Sequence, residues 1–172
     1  CKLKGIPVGG PYNITIKLTG SDNSNSQTEQ FEYKNILVGD VWILGGQSNM
    51  EGIGLLADAA KPHQMVRAFY MDDRWDIAKD PIHNLGQAVD PVHSSFTEGV
   101  PADRGVYDVG VGPGVAFGKE MYELTNVPQG LISCAHGGTS MSLWNPKLKK
   151  LKGGSLYGAM LRRFKKNGAN IA

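Results

Sequence analysis

Long apolar runs and cysteines are scarce in this chain of 172 residues. No stretch reaches the roughly 18 to 20 consecutive apolar residues of a membrane-spanning helix, so the sequence predicts none. Its two cysteines, Cys1 and Cys134, cannot build a disulfide framework. With 41% apolar and 20% charged residues, the composition predicts a folded globular protein and not a disordered one, and the length suits one domain.

Acidic residues are absent after Asn145, where eight of the 18 Lys and Arg residues lie. A basic stretch of this kind can indicate a polyanion partner. Two pairs of these cations lie on the polar face of a predicted helix, however. The sequence therefore favours a solvated face, or one that meets acidic surface outside this chain, and predicts no nucleic-acid binding.

The first part of the chain shows the alternation of a β-hairpin. Residues 12–18 alternate between apolar and polar side chains, a polar cluster occupies residues 20–26, and residues 31–33 resume the alternation. An isolated hairpin is only marginally stable in water. Residues 1–38 are therefore predicted to form a β-hairpin that ends a β-rich module.

From Gly39 onward the pattern changes to short continuous apolar runs. Val41–Leu44, Val66–Met71 and Leu131–Ala135 are typical of strands buried on both faces. Helical spacing of apolar residues over 114–124 and 155–167 separates or follows them. Strands alternating with helices predict an α/β fold with a largely parallel sheet.

The predicted sheet is small. Three strands make a poor parallel sheet, and residues 169–172 stand where a further buried strand would begin. We therefore expect residues 39–172 to be the N-terminal, larger part of an α/β domain that is incomplete at its C-terminus. A further segment or a second chain would complete it.

The strongest local pattern is Gly45-Gly46-Gln47-Ser48, which directly follows the first apolar run. In open α/β sheets, ligands gather beyond the carboxyl ends of strands, so Ser48 is predicted at that edge. Two glycines permit a sharp turn, and backbone N–H groups around Ser48 could face a developing oxyanion. A serine in such a loop is also a common turn former, and both interpretations stay open.

A second glycine pair, Gly137-Gly138, follows the third apolar run. If the two strands are parallel neighbours, this loop lies at the same edge as Ser48 and could supply the next oxyanion donor. The alternative is a tight turn that binds nothing.

Together these motifs resemble the sialate O-acetylesterase family, which are carbohydrate O-acetylesterases of the SGNH hydrolase superfamily. The resemblance covers nearly the whole chain. Its most specific part is the Gly-Gln-Ser-Asn-Met run over 46–50, supported by 111–114 before a helix and by 137–140 followed by Trp144.

The resemblance implies a three-layer, flavodoxin-like domain with a parallel sheet. It also implies an enzyme that removes acetyl groups from sugars without a metal or cofactor. Ser48 would be the nucleophile, and its N–H together with that of Gly137 or Gly138 would form the oxyanion hole. A secreted, periplasmic or lysosome-like compartment is favoured. The candidates for contact with an acetylated sugar or glycan are Gln47, Asn49, His136, Thr139 and Trp144.

The superfamily takes its base from an Asp-x-x-His segment, and none of the four histidines lies in one. The base is therefore expected on a missing segment or a second chain. His136 follows a predicted strand and would lie near Ser48, where it could line the sugar pocket or substitute as the base. The others, His63, His83 and His93, lie in polar sequence and are predicted to be solvated or structural.

The sequence also allows two other interpretations. A non-catalytic carbohydrate-binding or interaction module could use the same edge, with Ser48 only as a hydrogen-bonding group. Four aspartates could gather a cation, but they lack the regular ligand spacing of a calcium loop, so solvated side chains are predicted for Asp72, Asp73, Asp76 and Asp80.

Overall fold

The computed structural model describes residues 4–22, 25–95 and 108–168. The strands are β1 (Gly9–Asp22), β2 (Asn25–Val38), β3 (Asp40–Leu44), β4 (Gly54–Leu55), β5 (Val66–Phe69), β6 (Trp75–Ile77), β7 (Val109–Val111) and β8 (Gln129–Ser133). The α-helices are α1 (Ser48–Glu51), α2 (Pro91–Ser94), α3 (Pro113–Thr125) and α4 (Leu156–Lys166). Short 3₁₀ segments cover Leu56–Asp58, Leu85–Gln87, Met141–Trp144 and Pro146–Gly154.

Four strands form the main sheet in the order β3-β8-β5-β6. Both β3 and β5 run parallel to β8, and β6 runs antiparallel to β5. The predicted α/β class with parallel strands is confirmed. The order differs from a flavodoxin-like sheet, because there the first strand lies between the second and third, whereas β8 takes the central place here.

Helices cover β8 on both faces. Leu131 packs on one side in a cluster with Leu44, Val66 and Val115 of α3. Its neighbour Ile132 faces the other way and packs with Phe69, Cys134 and Met160 of α4. The strands of the main sheet are thus held between α3 and α4.

The prediction that β3 is buried on both faces is wrong. Its residues Val41, Trp42 and Ile43 are between 37% and 55% exposed, whereas every residue of β8 is buried. The reason is position in the sheet: within the described ranges, β3 pairs only with β8, while β8 pairs on both sides. An apolar run alone does not distinguish a central strand from one at the edge.

The strands β1 and β2 pair with each other in antiparallel register from Gly9↔Val38 to Asp22↔Asn25. Residues 23–24 of the predicted turn lie outside the described ranges. Among the described residues, no helix has the length and apolar character needed to cross a bilayer.

Arg163 fastens α4 to the carboxyl ends of β5 and β8. The guanidinium is fully buried and donates to the carbonyls of Ser133 and Phe69 at 2.8 and 2.7 Å. It also pairs with Asp73 at 2.7 Å and lies over the Phe69 ring. A solvated face was predicted for the cations of this helix, and for Arg163 that prediction is wrong, because the strand-end carbonyls need donors that the sheet does not supply.

Candidate active site

Ser48 follows β3 through a two-glycine turn. The backbone at Gly46 has φ of +150°, and a Cβ atom there would lie only 3.0 Å from Cβ of Met50. The turn therefore requires glycine at this position. Helix α1 begins at Ser48, and the amides of Met50 and Glu51 donate to the Gln47 carbonyl at 2.9 Å. Ser48 is half-buried just beyond the carboxyl end of β3.

The chain beyond β8 stays beside this turn. Backbone hydrogen bonds continue past the strand ends, from Cys134 N–H to the Leu44 carbonyl and from His136 N–H to the Gly46 carbonyl, both at 3.0 Å. At Gly137, a Cβ atom would lie 3.6 Å from Cα and 3.7 Å from Cβ of Ser48. The two glycine loops thus meet at one edge of the sheet, because parallel neighbouring strands end on the same side.

Glu51 joins the two loops through its side chain. Glu51 is 1% exposed, and its carboxylate accepts a hydrogen bond from the backbone N–H of Gly137. A Cβ atom at Gly137 would lie 2.9 Å from Glu51 Oε2, so this approach also depends on glycine. Glu51 carries no sequence signal for this role, because a carboxylate one turn after Ser48 has no pattern that reveals its partner.

His136 forms a buried pair with His93 of α2. Their Nδ1 atoms lie 3.0 Å apart and their rings stack with centroids at 5.1 Å. The two residues are 3% and 0% exposed. Burial lowers the pKa of His93 to about 3, with further lowering from His136 and from the nearby Arg163 cation. His136 lies beside the Ser48 loop, as predicted, because its N–H donates to the Gly46 carbonyl. Its contact with His93 was not predicted.

The other predicted contact residues lie around the same edge. Thr139 Oγ1 donates to the His136 carbonyl at 2.7 Å and accepts from Trp144 Nε1 at 3.1 Å, so these two side chains brace the glycine loop. Gln47, Asn49 and Gly138 are exposed. Gly138 has φ of +71°, a conformation that glycine adopts at no steric cost.

Comparison with known proteins identifies the family. The family model described as carbohydrate esterase, sialic acid-specific acetylesterase, matches residues 38–172. The chain belongs to this family.

Two curated relatives are 28% and 30% identical to the chain over the aligned residues. A probable carbohydrate esterase of Arabidopsis thaliana is 30% identical over 141 residues, which cover 72% of this chain and 45% of that protein. The sialate O-acetylesterase of Mus musculus is 28% identical over 166 residues, which cover 84% of this chain and 27% of that enzyme. The chain thus spans less than half the length of these curated relatives.

Solved structures share the fold. An Arabidopsis thaliana protein superposes with a TM-score of 0.51 at 25% identity, over 76% of this chain and 53% of that one. A carbohydrate acetylesterase from Xanthomonas citri also gives a TM-score of 0.51, at 21% identity, over 92% of this chain and 35% of that one. This likeness shows an esterase-type α/β fold.

Within this acetylesterase-family chain, the remaining histidines are built into the structure. His63 stacks on Tyr122 with ring centroids 4.6 Å apart, and its Nδ1 accepts from the Met65 amide. His83 is fully buried and lies close enough to His93 to lower the pKa of that ring. Of the two open interpretations, the solvated one is wrong for His83 and His93, because residues 82–85 and His93 are buried in the structure.

Two of the four aspartates that were predicted to be solvated form ion pairs instead. Asp73 is paired with Arg162, Arg163 and Lys166, and Asp72 with Arg74. Within the ranges that the structure describes, no group of three or more His, Cys, Asp or Glu residues could hold a metal ion.

Asp80 is a buried carboxyl, only 5% exposed. Desolvation raises its pKa to about 6, although the backbone amides of Gly112 and Ile82 act in the opposite direction. The amide of Gly112 belongs to the residue that caps α3. The raised pKa of Asp80 was not predicted from the sequence.

Proposed function

We propose that this protein is a carbohydrate O-acetylesterase in which Ser48 is the nucleophile. One observation carries the proposal: the Gly137 loop and Ser48 lie beside each other where two parallel strands end, so that a Cβ atom at Gly137 would be in ordinary contact with Ser48. Backbone amides beside a serine hydroxyl are what acyl transfer requires, and this edge of the sheet supports such an arrangement. Membership of the acetylesterase family supports an acetyl ester of a sugar or glycan as the substrate.

In the proposed reaction, the Ser48 hydroxyl loses its proton to a base while its oxygen attacks the acetyl carbonyl. The carbonyl oxygen becomes an oxyanion and accepts hydrogen bonds from the Ser48 N–H and from the glycine loop. Collapse expels the sugar oxygen, which takes the proton from the base, and leaves an acetyl-enzyme. Water then attacks this ester, releasing acetate and restoring Ser48.

The donor from the glycine loop is assigned to Gly138. The N–H of Gly137 already donates to the Glu51 carboxylate. The N–H of Gly138 makes no hydrogen bond within residues 4–22, 25–95 and 108–168, and the residue is exposed. A free amide can turn to an incoming oxyanion at lower cost than one that must first leave a carboxylate.

The sugar is proposed to lie over the exposed side chains of Gln47 and Asn49, which flank Ser48 in sequence. Thr139 and Trp144 would shape the pocket through the loop that they brace. The base histidine is proposed to come from a further segment or a second chain, completing the domain begun by residues 39–172. None of the four histidines lies in an Asp-x-x-His segment.

The test is hydrolysis of p-nitrophenyl acetate by the 172-residue chain, with and without added imidazole. Little turnover is expected without imidazole, because a serine at its ordinary pKa is a poor nucleophile. Added imidazole can act as the base and should raise the rate. The reaction of imidazole with the ester itself is subtracted by running the Ser48→Ala variant in parallel.

Equal rates for the wild type and Ser48→Ala at every imidazole concentration would refute Ser48 as the nucleophile. Full turnover without imidazole would instead show that the chain carries its own base. Ser140→Ala, which removes an exposed hydroxyl from the glycine loop, is the matched control and should leave the rate unchanged. Sugar binding without any reaction would favour the non-catalytic module.

A further inference from the structure

The proton shared by His93 and His136 decides what His136 can do beside Ser48. Two Nδ1 atoms at 3.0 Å need one proton between them, because two lone pairs repel and two N–H groups clash. A neutral imidazole carries one N–H. The pair therefore has two neutral arrangements, which place the shared proton on one ring or on the other.

In the first arrangement, His136 carries the shared proton on Nδ1 and has a bare Nε2 that could act as a base. His93 must then carry its own proton on Nε2. That atom is buried and has no hydrogen-bond partner within the described ranges. This arrangement leaves an N–H donor unpaired in the interior, which is rare in proteins and costs stability.

In the second arrangement, His93 donates from Nδ1 and leaves only a lone pair at its buried Nε2. An under-satisfied acceptor is less rare than an orphaned N–H group. The Arg162 and Arg163 cations act on the same ring and oppose a second proton on it, so the ring stays neutral. The same cations and the burial of both rings oppose protonation of the pair.

We infer that His93 is a positioning residue that donates its Nδ1–H to His136 and holds His136 in the tautomer with its proton on Nε2. Such a ring can donate a hydrogen bond but cannot take the proton of Ser48. The inference rests on the proposed function only where it concerns Ser48. It removes His136 as a substitute base and makes it a hydrogen-bond donor at the same edge.

The main chain of His136 links the histidine pair to the Ser48 turn and the glycine loop. Its N–H donates to the carbonyl of Gly46 in the Ser48 turn, and its carbonyl accepts from Thr139 Oγ1. The next residue, Gly137, lies beside Ser48 and donates its N–H to Glu51. A ring fixed by His93 therefore helps to hold the junction between the two loops in one geometry.

The experiment is a two-bond ¹H–¹⁵N correlation spectrum of the imidazoles at neutral pH, with His136 assigned from the signals that His136→Asn removes. In the wild type, the proton of His136 is expected on Nε2 and that of His93 on Nδ1. The other arrangement has an unpaired buried donor, so its population should be below about one tenth of the molecules. A His136 proton on Nδ1 overturns the inference.

Two variants of His93 test its role. His93→Leu removes the donor, and His136 should then populate both tautomers. His93→Asn keeps a side-chain amide donor and should restore the Nε2–H form, which a purely packing role would not do. An unchanged tautomer in His93→Leu overturns the inference, and His63→Asn is the control that should change nothing.

The wild-type spectrum decides the tautomer even if both His93 variants fail to fold. The measurement needs no ester and no catalysis. A failed esterase assay with the expected tautomer would refute the proposed function alone, and the reverse tautomer in an active enzyme would refute only the present inference.

Discussion

The carboxylate of Glu51 accepts a hydrogen bond from the backbone N–H of Gly137. Glu51 lies one helical turn after Ser48, and Gly137 lies beside Ser48, so this contact ties the Ser48 turn to the glycine loop. It also engages the amide that would otherwise be the first choice as an oxyanion donor. In the proposed reaction, two tasks are therefore separated within one loop: Gly137 holds the geometry and Gly138 donates to the oxyanion.

This contact predicts coupling between two substitutions. Gly137→Ala places a methyl group 2.9 Å from Glu51 Oε2, and Glu51→Ala removes a charged acceptor from a backbone amide. Each change should lower the free energy of unfolding, Glu51→Ala by roughly 1–3 kcal/mol. The double variant should lose less than the two single losses together, because Glu51→Ala also removes the atom that the new methyl group meets.

Urea denaturation of the four proteins measures this coupling. Gly20→Ala is the control, since a Cβ atom there meets no heavy atom within 4 Å. Strictly additive losses would contradict the contact. Glu51→Gln, which keeps an oxygen acceptor, should recover part of the stability lost in Glu51→Ala.

Asp80 predicts a pH dependence of stability with a definite sign. Burial raises its pKa in the folded protein from 3.8 to about 6. The neutral carboxyl therefore favours folding below pH 3.8, and that contribution is lost as the pH rises through about 6. Asp80→Asn stays neutral, so it should stabilise the protein at pH 8 by roughly 2–3 kcal/mol relative to its effect at pH 4.

Denaturant unfolding of wild type and Asp80→Asn at both pH values gives the comparison. Other titrating groups affect the two proteins alike, so the difference isolates Asp80. Asp58→Asn, at an exposed position, should show no such difference. A difference in the free energy of unfolding between wild type and Asp80→Asn that stays constant from pH 4 to 8 would argue against a raised pKa of Asp80.

Arg163 predicts a large loss of stability on substitution. Its guanidinium binds carbonyls at the ends of two strands and pairs with Asp73, all without exposure to solvent. Arg163→Met keeps much of the side-chain volume but leaves Asp73 with fewer partners and the carbonyls without donors. We expect a loss of roughly 3–5 kcal/mol in the free energy of unfolding.

The matched control for Arg163 is Arg74→Met, which breaks an ion pair between Arg74 and Asp72 on the surface. Exposed pairs contribute about 0–1 kcal/mol, so Arg74→Met should unfold close to wild type. Similar unfolding midpoints for the two variants in guanidinium chloride would show that the buried contacts of Arg163 contribute little to the stability of the protein.

Much of the site followed from local sequence. Ser48 and Gly137 each come a few residues after an apolar run, and neighbouring parallel strands end at one edge of a sheet, so their proximity could be predicted. The Gly-Gln-Ser-Asn-Met run and the second glycine pair led to the family. These features are local because turns and strand ends are encoded by adjacent residues.

What the sequence alone determined is therefore the α/β class, the serine turn, the glycine loop and the family. Tertiary structure decided which strand is central, the burial of Arg163, and the partners of Glu51 and His136. His93 and His136 are 43 positions apart along the chain, and no periodicity relates them. Their contact exists only because packing brings α2 against the end of β8, and the proton they share is fixed by surroundings that local sequence does not encode.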